Sequence, residues 1–289
     1  MRKIVCKDLC KNYKDVKALD GVNLELESGK IYGLIGRNGA GKTTLLSIIS
    51  GQIPSSSGSV TLDGEPIWEK QKQLNAVCFS RELNASAQSG VGALKIKDYL
   101  QAARSYFPNW NREMEKELVE KFKIPVKKQI GKVNKGMQSM VTITVAMASG
   151  AEFTFLDEPV AGLDVIAREE FYTMLVDEYM ASGRTFVVST HIIEEAASVF
   201  EETIIVDHGT ILLKQNTDEL VASAVLVSGH EDAVDGATRG LKVHHVQQMG
   251  RSKAVTVFLK KGETLRDGFD VDVQPVSLQK VFVALCGEE

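Results

Sequence analysis

Gly36-Arg37-Asn38-Gly39-Ala40-Gly41-Lys42-Thr43 fits the spacing G-x-x-x-x-G-K-[ST], and it stands between two segments of different character. Before it, Ile31-Tyr32-Gly33-Leu34-Ile35 is apolar without polar alternation, as in a strand buried on both faces. After it, residues 42–50 read as a helix stopped at Gly51. Strand, glycine loop and helix in that order predict an α/β fold with a loop shaped for phosphate. The glycines let backbone N–H groups converge on phosphate oxygens, and the helix points its positive end at them. Lys42 would neutralise the terminal phosphates, and the Thr43 hydroxyl is a ligand for Mg2+. An ordinary glycine turn would require neither the flanking strand nor the helix.

The rest of the chain continues the alternation. Strands are expected at 3–10 and 22–26, joined by a polar turn at 12–15, and at 59–62, 76–79, 153–156, 185–189, 203–206 and 211–213. Helical spacing marks 96–106, 112–122, 137–148 and 166–180. After about Leu220 the pattern changes to short strand-like runs at 224–227, 241–246 and 254–259 with a closing helix at 277–286. At 289 residues the chain has room for two domains. We divide it into residues 1–222, with a helical subdomain at about 94–150, and a small α+β domain at 223–289.

A second chemical element ends the apolar strand Phe153-Thr154-Phe155-Leu156 with Asp157-Glu158-Pro159. Carboxylates there reach the crevice at the carboxyl ends of the strands. Mg2+ prefers hard oxygen ligands, so Asp157 would hold it, and Glu158 would orient and deprotonate an attacking water.

With Ala161-Gly162-Leu163-Asp164 and Ser189-Thr190-His191 added, residues 1 to about 220 resemble the nucleotide-binding subunit of ABC transporters. That resemblance implies a phosphate-loop ATPase core binding ATP and Mg2+ along Gly36, Asn38, Gly39, Ala40, Gly41, Lys42, Thr43 and Thr44. It makes Asp157 the metal ligand, Glu158 catalytic, Asp164 part of the loop facing a second subunit, and His191 the switch residue at the γ-phosphate. Tyr13 occupies the place of an adenine-stacking aromatic, although stacking tolerates either purine and an ordinary surface or core tyrosine is the competing reading.

Two motifs depart from the family pattern. Val133-Asn134-Lys135-Gly136-Met137 stands where the family has Leu-Ser-Gly-Gly-Gln, so Asn134 replaces the serine that meets the partner's γ-phosphate. Asn134 can still cap the following helix and donate through its amide, and Gly136 permits close approach. Arg81 stands where the family has a glutamine after a strand. Arginine has no acceptor and cannot ligate a cation. Either Glu82 takes the metal role, Arg81 reaches a phosphate, or the site turns over differently.

Composition bounds the partners. The net charge of −4, from 34 Lys plus Arg against 38 Asp plus Glu, argues against nucleic acid. Four cysteines without a C-x-x-C pair fit a reducing cytoplasm, and no apolar run approaches the ~20 residues that span a bilayer. Cys6 and Cys10 share strand parity and are expected on one buried face. Residues 112–128 mix charges, as on a solvated helix face. Phe107 and Trp110 are either core residues or anchors for a permease. His208, His230, His244 and His245 lack metal-ligand spacing with cysteine. The resemblance implies a cytoplasmic ATPase subunit, peripheral on the inner face of the cell membrane, paired with a permease and a second ATPase subunit. It points to export of drugs, antimicrobial peptides or lipids. The alternatives are a catalytically weakened half of a heterodimer and a soluble non-transport ABC ATPase.

Overall fold

The computed structural model describes residues 1–83, 90–260 and 262–287. Two long antiparallel strands open the chain, β1 (Lys3–Tyr13) and β2 (Val16–Glu27), turning at Lys14 with φ 48°. Both run beyond their expected limits, their pairing continuing to Tyr13 and Val16, and β1 carries an irregular register between Cys6 and Leu9, with Asp8 at φ 46°. Such a bulge inserts a residue and exchanges the faces beyond it. Cys6 and Leu9 are consequently buried together, while Cys10 is half-buried and accepts the Gly21 N–H at 3.1 Å. The two cysteines do not share the core face that simple alternation predicts.

β3 (Ile31–Ile35) is buried throughout and leads through the glycine loop into α1 (Lys42–Ile49). β4 (Ser57–Leu62) and β5 (Glu65–Pro66) complete the first sheet, of order β2-β1-β4-β5. The short α2 (Gln71–Leu74) leads to β6 (Val77–Ser80), and a helical segment follows: α3 (Gly90–Ala93), α4 (Ile96–Tyr106), α5 (Arg112–Lys121) and α6 (Lys135–Ala148). β7 (Phe153–Asp157), α7 (Val165–Ser182), β8 (Thr185–Thr190), α8 (Ile193–Ala196), β9 (Glu202–Asp207), β10 (Thr210–Asn216) and α9 (Thr217–Ala222) finish this part of the chain. The central sheet has the order β10-β9-β3-β8-β7-β6 and is parallel except for the β9–β10 hairpin. β3, β7 and β8 lie in its interior with every residue buried, which accounts for their apolar sequences. The observed class is the α/β, phosphate-loop architecture expected.

Register decides where the chemistry falls. Ile35 stands beside Thr190 in the β3–β8 ladder, and Asp157 beside Ser189 in the β7–β8 ladder. The glycine loop, the acidic strand end and His191 therefore leave the sheet at one edge, side by side.

The helical segment differs from expectation at one point. Glu115, on the charged stretch expected to be solvated, is buried and accepts from Arg104 at 2.7 Å and from the Trp110 indole at 2.9 Å. Phe107 and Trp110 stack and pack against the main apolar cluster.

Beyond α9, β11 (Ala224–His230), α10 (Glu231–Ala237), β12 (Val243–Met249), β13 (Ser252–Phe258) and β14 (Val271–Pro275) form an antiparallel sheet of order β12-β13-β11-β14. Val227, Val234, Val255 and Val257 make its small core. The last helix, α11 (Leu278–Cys286), packs on α8 and α9, and its Leu278 and Val281 join the main cluster. No helix among the described residues is long and apolar enough to cross a membrane.

One buried cation ties α6 to the sheet. The Arg184 guanidinium, at the head of β8, donates to the carbonyls of Ala146 (3.0 Å), Met147 (2.8 Å) and Ala151 (2.7 Å) and to Thr154 Oγ1 (2.7 Å), and pairs with Glu178 at 2.9 Å. It satisfies the carbonyls that the end of α6 leaves without helical partners. Removing one member of a buried, hydrogen-bonded ion pair typically costs about 3–5 kcal/mol. We expect Arg184→Met to lose stability on that scale in urea unfolding; a loss below about 1 kcal/mol would show that the network is dispensable.

Candidate active site

The glycine loop owes its shape to crowding. Gly41, at φ 107°, precedes α1, and a Cβ there would meet the Ala18 carbonyl oxygen at 2.7 Å. No side chain caps this helix start, so its first N–H groups remain for a ligand. They border a cavity of about 380 Å3 whose lining includes Asn38, Gly39, Gly41, Lys42, Thr43, Thr44 and Glu158. Gly36 and Ala40 are buried beneath it.

Lys42 is 6% exposed, and its ammonium donates to Gly36 O at 2.7 Å and Arg37 O at 3.3 Å. Burial lowers its pKa, and the charges of Glu158 and Asp157 oppose that shift. Its Nζ lies 3.9 Å from Glu158 Oε1, which puts a buried cation next to the expected base.

On the opposite wall the strand ends interlock. Thr43 Oγ1 donates to Asp157 Oδ2 at 2.6 Å, and Ser189 Oγ donates to Asp157 Oδ1 at 2.5 Å. Glu158 sits at φ 50°, an unfavourable backbone for a residue with a side chain, and its N–H is held by Ser189 through O at 3.1 Å and Oγ at 3.2 Å. That turn sends the Glu158 carboxylate to His191, with Oε2 2.6 Å from Nδ1. Ser189 enters the sequence pattern only within Ser189-Thr190-His191, and its hydroxyl reaches Asp157 because the β7–β8 ladder sets the two side by side.

The structure thus gathers Gly36 to Thr44, Asp157, Glu158 and His191. It does not gather Asn134, Gly136 or Asp164, none of which lines this cavity. Those three form a second cluster. Asn134 Oδ1 accepts the Met137 N–H at 2.8 Å and caps α6, and Asp164 Oδ1 accepts the Ala167 N–H at 2.9 Å and caps α7. A Cβ at Gly136 would stand 2.7 Å from Gly162 O, so α6 touches the 161–164 loop there. Ser139 Oγ reinforces the contact by donating to Ala161 O at 2.8 Å.

Tyr13 is exposed with the Lys11 ammonium 5.1 Å from its ring centre, and it does not line the cavity; Val16, Lys17 and Ala18 of β2 do. His208, which carries no metal-like spacing in the sequence, lines it as well and bonds Asp207 at 2.8 Å. Glu82 pairs with Lys135 at 3.1 Å, and Arg81 is exposed.

Among the described residues no cluster of three or more His, Cys, Asp or Glu could hold a metal alone. The Thr43 hydroxyl and Asp157 carboxylate are nevertheless hard oxygen donors of the kind that share Mg2+ with phosphates and waters.

A buried lysine in a glycine loop, facing carboxylates across the ends of parallel strands, defines a phosphate-loop nucleoside-triphosphatase. A family model described as ABC transporter matches residues 19–161. The manganese transport system ATP-binding protein MntB of Listeria innocua is 32% identical over 199 residues, covering 68% of this chain and 82% of that one. The ABC transporter ATP-binding protein YtrB of Bacillus subtilis is 25% identical over 285 residues, 94% of this chain and 96% of its own. Among solved structures, the fold matches the dimeric cassette MJ0796 bound to ADP and Pi, with TM-score 0.65, 21% identity, and 74% and 98% of the two chains covered. The chain belongs to the family of ABC transporter ATP-binding subunits, and it is an ATPase.

The contact at Gly136 gives a test. In Gly136→Ala, the clash with a backbone oxygen, about 1–3 kcal/mol, exceeds the helix-propensity gain of up to about 1 kcal/mol. We expect net destabilisation in urea unfolding. A more stable variant would show that the 161–164 loop yields freely.

Proposed function

We propose that this subunit hydrolyses Mg·ATP with Glu158 as base and drives export through a separate membrane-spanning permease. The observation that carries the catalytic part is the 2.6 Å contact between Glu158 and His191, on the wall facing Lys42. The loop N–H groups and Lys42 bind the phosphates. Phosphate oxygens would compete with Gly36 O and Arg37 O for the Lys42 ammonium. Thr43 and Asp157 would hold Mg2+, which when bound neutralises charge on the phosphate oxygens.

Glu158 accepts a proton from the water that attacks the γ-phosphorus. The bond from that phosphorus to the bridging oxygen breaks, ADP leaves, and the proton passes on to phosphate. His191 fixes the direction of the carboxylate. Its Nδ1 is engaged by Glu158, which leaves Nε2 to meet a phosphate oxygen.

The second cluster is built for another chain. Asn134 spends Oδ1 on its own helix and keeps its amide hydrogens for an acceptor outside, while Asp164 stands exposed at the start of α7. In the proposed assembly each ATP lies between one copy's glycine loop and the other's Asn134 to Gly136. Residues 1–222 form the motor, with 94–150 as the permease-facing subdomain, and 223–289 are accessory. The subunit works from the cytoplasmic face, peripheral on the membrane.

The choice of export rests on the resemblance to single-cassette exporters with a C-terminal addition; the manganese system relative makes a metal ion the competing cargo. A second reading, the weaker half of a heterodimer, is favoured by Arg81, which has no acceptor for a cation where the family has glutamine.

Glu158→Gln should keep its affinity for a fluorescent ATP analogue and release phosphate at least about 100-fold more slowly. Undiminished turnover would remove Glu158 from the base role. Cells lacking the subunit should retain more of an amphiphilic drug or antimicrobial peptide; unchanged retention with impaired manganese uptake would reverse the assigned direction.

A further inference from the structure

Helix α11, which closes the accessory domain, shares its core with the segment that carries His191. Leu278 and Val281 of α11 are buried in the main apolar cluster together with Ile193 and Ala196 of α8, and the two helices are in contact. α8 begins two residues after His191 and is only four residues long. An isolated turn of helix is not stable in water, so the place of α8 is set by what packs on it. One support is α7, whose Arg168 pairs with Glu195 at 2.8 Å. Another is the Phe200 ring just beyond, which occupies the space left by Gly33 of β3, where a Cβ would stand 2.2 Å from it. The third is α11.

His191 has little packing of its own. Its side chain is 56% exposed, so the direction of the ring depends on its contact with Glu158 and on the backbone between β8 and α8. That backbone is tied at Thr190, whose Oγ1 accepts the Ile192 N–H at 3.0 Å, and at Ile193, which is buried in the cluster. At its other end α11 brings Cys286 within reach of the charges of Asp207 and Arg37, the residue whose carbonyl accepts from Lys42. The helix therefore spans from the switch segment to the border of the glycine loop. No residue of α11 lines the nucleotide cavity itself.

We propose that α11 is a positioning element for hydrolysis, in which Leu278 and Val281 hold α8, and through it His191, where the imidazole meets Glu158. Residues 223–289 then contribute to turnover without touching nucleotide. The inference rests on the role given to His191 in the proposed function. Binding of the phosphates by the loop N–H groups and Lys42 does not pass through α8. Loosening α11 consequently lowers kcat and spares ATP affinity, since a reacting group misplaced by about 1 Å can cost about 100-fold in rate.

The test is a set of full-chain variants assayed for phosphate release and for binding of a fluorescent ATP analogue. Val281→Ala should lower kcat at least about fivefold and leave ATP affinity within about twofold. Leu278→Val removes a single methylene and should give a smaller fall of the same kind, so the test survives a Val281→Ala chain that does not fold. Val255→Ala makes the same truncation in the separate small core of the accessory domain. It should destabilise the domain comparably in urea and leave kcat within about twofold. His191→Ala should lower kcat at least about tenfold. Adding Val281→Ala to it should change kcat by no more than about twofold, because a residue that acts through His191 has nothing left to position. Unchanged kcat in both Val281→Ala and Leu278→Val, an equal fall in Val255→Ala, or independent losses in the double variant would each overturn this proposal alone. Undiminished turnover in His191→Ala would overturn it together with the role of His191 on which it rests.

Discussion

The parallel register between β7, β8 and β3 is the constraint on which the rest of the molecule depends. Asp157 beside Ser189, and Ile35 beside Thr190, bring three segments distant in the chain to one sheet edge. A shift of one residue in either ladder would turn the side chains to the opposite face and separate Asp157 from Thr43. The buried apolar strands enforce that register, since each residue of β3, β7 and β8 is packed on both sides. Arg184 adds to it by fastening α6 to the head of β8, so the strand that leads into His191 at one end holds α6 at the other.

Within that frame the electrostatics are tightly coupled. Lys42 loses hydration and has its pKa lowered by burial, while Asp157 and Glu158 favour its charged form. Each carboxylate is then aimed by hydrogen bonds: Asp157 by Thr43 and Ser189, Glu158 by its strained backbone and by His191. Two adjacent acids thereby point to different partners. Preorganised charges of this kind avoid reorganisation at the moment phosphate charge develops.

The placement of the glycine loop, the acidic pair and His191 together was legible in the sequence because each is a local pattern attached to a strand end. The missing parts are non-local. Ser189 matters only because the ladder sets it beside Asp157, and Arg184 only because α6 ends near it. Glu115 looked solvated within a run of mixed charge, but Trp110 and Arg104 fold over it. The parity argument for Cys6 and Cys10 failed for a local reason that leaves no clear composition signal, a bulge at Asp8. Asn134 was legible as a cap, whereas the close approach of Gly136 to Gly162 required the fold.

In the proposed assembly the two clusters, one around Lys42 and Glu158 and one around Asn134 and Asp164, meet when a second chain closes the site. The most direct measurement is the mass of Glu158→Gln protein by light scattering after size exclusion, with and without Mg·ATP. The account predicts one chain without nucleotide and two with it. A mass of one chain with ATP demonstrably bound would contradict a site completed by a second copy.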